Sequence, residues 1–463
     1  MGAVTQQLIQ FVEESTFASL PPHIVHATKR ILVDTIACAL AGIGADRGKI
    51  AVKLARRLGG PPESSIIGTG DKLSCVNAAF ANSELVNALD FDATPHSPPI
   101  VIPPILAVAE MTRLSGQELI LAITLGHEAG WRLYSAMSTY MSSYVERATS
   151  PDVFGNSNEA VLGAALGVGR VLGLDPTKLA NTLGLAGYFC SLPVGKDWHD
   201  VKPPKPMIKY APTGWLSKAA VMAGLLAAEG CEGNRSVLDG RYGFWKFYGA
   251  GRWDPDTVVR DLGSRWVSAN FQFKPYACCR FFHAQLDCFT DIIETHDLQA
   301  DDIESVEALG MPFAANSDPM SVTTQSDAQF SLPFNLAAAA HRIGAGADWQ
   351  DGSVLRDPKI RAFMKKVSIG IDPKAQAAKR EDPKTWTARV TVVARGKTHV
   401  RETMYARGTP VPGFEMSDDD LSGKLLNSAS GSLSNEHAQR VIDFLWKLEQ
   451  VDHVSDLFDL IRR

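Results

Sequence analysis

Residues 84–110 read ELVNALDFDATPHSPPIVIPPILAVAE, so Asp90, Asp92, Thr94 and His96 fall on one short connector between two apolar runs. Two carboxylates, a hydroxyl and an imidazole are the equipment of proton transfer. A histidine with an ordinary pKa of about 6.5 serves as base or acid near neutrality, and a neighbouring carboxylate orients it. Proline is accepted in the first turn of a helix and resisted in its middle. The polar cluster therefore belongs at a junction between a helix-like run that breaks at Asp90 and a helix restarting behind Pro103 and Pro104. The same spacing also admits a plainer reading, in which Asp90 and Thr94 cap helices and His96 is a satisfied core histidine.

Two further stretches carry cations. In VKPPKPMIKYAPTGW, Lys202, Lys205 and Lys209 precede a helix expected near Gly214; in FQFKPYACCRFFHAQLD, Lys274 and Arg280 flank a turn that opens another. Helix N-termini favour anions, and lysines beside them strengthen that preference. Lys202 reads as solvated. Lys205, Lys209, Lys274 and Arg280 together suit a small anionic substrate whose carboxylates they hold while a histidine moves a proton. Tyr144 and Tyr210 are candidate second acids. His127 in LGHEAGWRL reads as a core or interface residue, and Trp245, Phe247 and Tyr248 as packing. Adjacent Cys278 and Cys279 sit too close to clamp one metal ion and read as buried packing groups. No dinucleotide or phosphate loop, zinc-protease helix or serine elbow appears.

The elements that must position these residues change in texture along the chain. The first half is a succession of helical periodicities, several of them rich in Ala and Gly, with no useful alternation before about residue 265. Beyond it come alternating segments at IESVEALGMPF and KKVSIGIDP, a helix at SLPFNLAAAAHRIG, and a hairpin turning at Arg395-Gly396-Lys397. Three helical segments close the sequence. The expected fold is mostly α: a large helical domain built from both termini (residues 1–267 and 406–463) and a smaller α+β domain at 268–405.

Composition narrows the function classes. At 463 residues, 45% hydrophobic and 21% charged, the chain reads as a two-domain globular protein, and its formal charge of −5 argues against a nucleic-acid partner. The seven cysteines form no CxxC pair and no regular framework, which fits a reducing compartment. The N-terminal MGAVTQQLIQFVEE lacks a basic region, and the longest uncharged run, residues 179–195, is broken by Asn181 and Pro193. A cytoplasmic protein without a membrane partner is the expectation.

Four segments, LDFDATPHSPPIVIPPILAVAE, IKYAPTGWLSKAA, FKPYACCRFFHAQLD and AQFSLPFNLAAA, stand in an order and spacing that resemble the MmgE/PrpD family. That family includes 2-methylcitrate dehydratase, cis-aconitate decarboxylase and iminodisuccinate epimerase. The resemblance implies a helical body, an α+β lid, a homodimer, and a cofactor-free site for a small polycarboxylate between the domains. It assigns catalytic roles to Asp90, Thr94, His96, Lys209 and Lys274. The lysines would hold carboxylates, with Arg280, Lys205, Tyr210, Tyr144 and Phe334 near the substrate, and Asp90 would orient His96. Three positions depart from the pattern. Fewer residues separate Thr94 from His96 than in related enzymes. Phe154-Gly155-Asn156-Ser157 replaces a His-Pro pair, and Phe334 replaces a tyrosine of decarboxylase-like members. These losses of an imidazole and a phenol make decarboxylation the least expected activity. A dehydratase is the first reading and an epimerase its alternative, which the residues do not decide between, and a non-catalytic carboxylate-binding member is the competing class.

Overall fold

The computed structural model describes residues 1–112, 114–137, 155, 157–311 and 320–461. Apolar side chains gather into two cores. The first joins residues from Leu8 to Ala277 with Met416 to Ile461, so the closing helices Asp418–Ala429, Asn435–Trp446 and Ser455–Ile461 pack on the helices of the first half. Small residues let these helices approach. A Cβ on Gly163 would meet the Gly126 carbonyl at 2.2 Å, which holds helix Ala160–Val171 directly against Gly116–Ala136. Among the described residues no helix is long and apolar enough to cross a membrane.

The second core runs from Cys278 to Ala406 around a four-stranded sheet. Its order is Val367–Ile371, Ile303–Gly310, Ala388–Ala394, Lys397–Thr403, the first pair parallel and the others antiparallel. The hairpin pairs Ala394 with Lys397 through Arg395 (φ 51°) and Gly396 (φ 69°), two left-handed residues whose twist matches that of the flanking strands. Helices His283–Thr295 and Leu332–Ala340 pack with the sheet.

Three details differ from the sequence reading. A pair of two-residue strands, Ser64–Ser65 and Lys72–Leu73, interrupts the helical half. The helix expected behind Pro103 begins instead at Pro98 and runs through to Met111. Pro103 cannot donate to the carbonyl of Pro99, and the Ser83 hydroxyl takes that place, so a side chain replaces the missing backbone bond. Finally, Trp198, Tyr210 and Ala211, expected within the helical domain, insert into the second core. That crossing brings Lys209 and Tyr210 to the junction of the two cores.

Candidate functional site

Helix Cys75–Asn87 ends just before Asp90, whose backbone turns left-handed at φ 55°. A carboxylate residue tolerates that conformation better than most side chains, and such strain persists only where the surroundings hold it. They do so from every side. Gln329 Nε2 donates to the Ala88 carbonyl at 2.9 Å and Gln350 Nε2 to the Leu89 carbonyl at 2.8 Å, both from the second core. Lys424, on a closing helix and paired with Asp34 at 2.7 Å, donates to the Phe91 carbonyl at 2.8 Å. Thr94 and Gln272 exchange two backbone bonds of 2.9 Å each. The connector is thus fixed by both cores and by both ends of the chain.

Asp90 lies at the centre of an ionic cluster. Its Oδ1 accepts from Lys209 Nζ and from the Tyr210 hydroxyl, each at 2.9 Å, and its Oδ2 accepts from Lys274 Nζ at 2.7 Å. All three charged groups are 1% exposed or less. Burial opposes ionisation of Asp90, yet Lys209, Lys274 and His96 hold its carboxyl well below the usual range. The lysines are unequal. Burial is the largest influence on both; it pushes Lys209 below its ordinary value, whereas at Lys274 the Asp90 and Asp92 charges prevail and raise it. Tyr210 is kept protonated, driven well above its ordinary value by burial and by Asp90.

The lysines therefore face an internal carboxylate, which revises the expectation that they stand ready as carboxylate clamps. Lys209 also donates to the Asn87 carbonyl and Lys274 to the Asp90 carbonyl, each at 2.7 Å. Each ammonium uses two of its three N–H groups within the protein, and among the described residues one on each remains to donate.

His96 is oriented by Asp92, not by Asp90. Its Nδ1 lies 2.7 Å from Asp92 Oδ2, and Asn87 Nδ2 donates to the other oxygen at 3.1 Å. Asp90 already accepts from three donors, whereas Asp92, four residues before the ring, has Oδ2 within hydrogen-bond reach of it. Burial opposes the Asp92 charge, but His96 and the two lysines hold its pKa below the ordinary carboxylate value. An ionised partner on Nδ1 leaves Nε2 as the reactive nitrogen. The Thr94 hydroxyl is buried and has no partner among the described residues, so it, like His96 Nε2, is placed to bond something not in the chain.

Other candidates are placed elsewhere. Arg280 is buried with all five N–H groups satisfied, by Gln272 Oε1, the carbonyls of Phe273, Ala406 and Arg407, and Thr409 Oγ1. It staples the start of the 280s to the chain returning from the second core and has no donor left for a substrate. Lys205 donates to the carbonyls of Trp198 and His199 at the end of helix Gly195–Asp200, a common task for a C-terminal lysine. Phe334 is wholly buried in the second core, and no hydrogen bond or ring contact joins it to the Asp90 cluster among the described residues. Tyr144 and Phe154 lie outside the described residues. His127 is a core residue, edge-on to Phe271 at 4.9 Å and pushed down to about 3 by burial. Lys202 is exposed, and Cys278 and Cys279 are buried.

Sequence reasoning passed over a ring of aromatic groups around Tyr210. Its ring centroid lies 5.4 Å from His96, 5.9 Å from His199, 5.4 Å from Trp198 and 6.3 Å from Phe330. No local pattern announces Trp198 or His199, because only the chain crossing between cores brings them here.

The fold and site define a two-part protein in which a helical body and an α+β part share one buried cluster of carboxylates, lysines and an imidazole. Residues 6–256 match the MmgE/PrpD N-terminal domain and residues 276–450 the MmgE/PrpD C-terminal domain. The chain belongs to the MmgE/PrpD family. Similar proteins include a cis-aconitate decarboxylase of Aspergillus terreus, 30% identical over 311 residues, which covers 63% of this chain and 60% of that protein. The human cis-aconitate decarboxylase is 23% identical across 100% of this chain and 95% of its own length, and the mouse protein 23% identical across 100% and 94%. The chain thus spans about 60% of the length of its fungal relative and nearly all of the mammalian ones.

Proposed function

We propose that this chain is a cofactor-independent lyase that acts on a small di- or tricarboxylic acid. It removes a proton from carbon beside a carboxylate and expels a β-hydroxyl as water. The observation that carries this reading is the Asp92–His96 pair, 2.7 Å apart and buried beside the Asp90–Lys209–Lys274 cluster. Asp92 fixes the ring so that Nε2 accepts the carbon-bound proton, and it stabilises the imidazolium that results. The remaining N–H of each lysine donates to the enolate-like charge that develops. Such preorganised donors are worth roughly 3–4 kcal/mol each by comparison with oxyanion-hole groups. Thr94 Oγ1 bonds a substrate oxygen.

The names of the relatives support a lyase acting on a polycarboxylate, and they make loss of CO2 the second reading. Dehydration is preferred because the imidazole and the phenol of decarboxylase-like members give way in this sequence to Phe154 and Phe334. An epimerase would use the same proton abstraction, with return to the opposite face. The protein is further proposed to work in the cytoplasm as a homodimer; exposed Tyr188, Leu192, Tyr242 and Phe247, each more than two-thirds accessible, form apolar surface that a second copy could cover.

The test is a panel of 2-methylcitrate, citrate, cis-aconitate, tartrate-like and amino-dicarboxylic acids, read for water loss, CO2 release and thermal stabilisation. Turnover of a hydroxy acid with release of water is the expected result. Release of CO2 from cis-aconitate replaces dehydration with decarboxylation. Stabilisation by these acids without turnover of any would make the protein a carboxylate binder.

A further inference from the structure

Dehydration needs an acid as well as a base, because a departing hydroxide is far too basic to leave unassisted. Within the cluster, Tyr210 is a poor donor, since its proton is held on Asp90. Lys209 and Lys274 are tied to the same carboxylate. A second imidazole is present. His199, near the end of helix Gly195–Asp200, stacks on Tyr210 with 17° between the planes, and Trp198 stands edge-on to it at 5.3 Å. His96 and His199 thus both lie against one phenol, which Asp90 anchors.

We infer that His199 is the acid that hands a proton to the leaving hydroxyl, an assignment that rests on the dehydration proposed above. His96 Nε2 takes the proton from carbon, and the C–H electrons become the second bond of the alkene. The C–O bond breaks, and the oxygen leaves as water with the proton from His199. The turnover ends with His96 protonated and His199 neutral, and exchange with solvent resets both.

The charges around His199 explain why the donor is armed only with substrate. Burial and then the Lys205 ammonium push its imidazole down to about 4, against the opposing pull of Asp90; Tyr210, which also faces it, stays neutral. A polycarboxylate entering this cluster adds negative charge, which favours the imidazolium and draws a proton in with the ligand.

The experiment compares wild type, His96→Gln and His199→Gln on the hydroxy acid turned over by the panel, in D2O. Both exchange of the α proton and product formation are followed by NMR. In His199→Gln, exchange is expected to survive within about threefold while product formation falls about 100-fold or more, the usual weight of a general acid. His96→Gln loses both. Tricarballylate, which lacks the hydroxyl, serves as probe for calorimetry in two buffers of different ionisation enthalpy, and wild type should take up more protons on binding it than His199→Gln. Product formation by His199→Gln within about threefold of wild type overturns the assignment, as does equal loss of exchange and product with an unchanged Tm. His199→Asn carries the same expectations should the glutamine disturb packing. A wild-type protein that neither exchanges nor eliminates on any hydroxy acid is a different failure, that of the lyase reading itself.

Discussion

Replacing Asp90 with Asn tests whether one carboxylate holds the site together. The amide has nearly the same volume and tolerates the left-handed backbone at φ 55°, so the substitution removes charge and little else. Lys209 and Lys274, 1% and 0% exposed, would then share a buried space with no carboxylate in contact, and Asp92 would be the nearest remaining negative group to influence them. Removing one partner of a buried pair costs about 3–5 kcal/mol, because the stranded charge stays desolvated. With two ammonium groups stranded and Asp92 tempering the loss, a deficit within that range is expected. Its sign with pH follows from the lysines. In the variant their folded-state pKa values drop below the unfolded value, so above the carboxylate range the deficit is larger at pH 6 and shrinks toward pH 9 as the amines lose their protons. Guanidinium unfolding followed by tryptophan fluorescence at pH 6 and pH 9 measures both quantities. A loss below about 1 kcal/mol at pH 6, well under the range for a broken buried pair, or a deficit that grows toward pH 9, would refute the reasoning.

Three other expectations follow from the same geometry. Asp92→Asn should keep the fold but lower kcat by about 10³–10⁴, since the amide favours the wrong tautomer of His96; steady-state kinetics beside a thermal melt separates the two effects. Gln350→Leu removes the donor shared by the Leu89 and Ala277 carbonyls, 2.8 and 2.7 Å away, leaving two buried acceptors unpaired at about 1–3 kcal/mol each. A clear fall in Tm together with reduced activity is the result to look for. His127, depressed to about 3 by burial, favours the folded state only while neutral. Below about pH 6.5 the unfolded chain takes up the proton, and wild type loses about 1.4 kcal/mol per pH unit from this group. His127→Phe should lack that component, so denaturation at pH 6.5 and pH 5 should show the variant gaining on wild type by about 1.6 kcal/mol.

The connector was legible in the sequence because proline placement and a run of short polar residues mark a junction whatever the tertiary fold. Lys209 and Lys274 stood out for a similar reason, each beside prolines and a turn. What the sequence could not assign was pairing. Asp90 and Asp92 are two residues apart, and nothing local says that three donors from distant segments converge on the first and leave the second for His96. The spacing of Asp92 and His96, four apart on one short connector, was the available hint. Arg280 looked like an anion ligand because a turn with a cation resembles one, until its five donors were seen to be taken by main-chain and side-chain oxygens. His199 carried no local signal at all, since its place beside Tyr210 depends on the chain passing from one core to the other. The hairpin at Arg395-Gly396 was legible down to its turn, because two left-handed positions leave few residue choices.

Everything proposed for catalysis depends on His96 moving a proton bound to carbon. Wild type and His96→Gln, matched in Tm, are incubated in D2O near neutral pH with the acid that the panel identifies, and the α proton is followed by NMR. If His96 is the base, the signal decays with wild type and slows by about 100-fold or more with the variant. Decay at the wild-type rate in His96→Gln would contradict it.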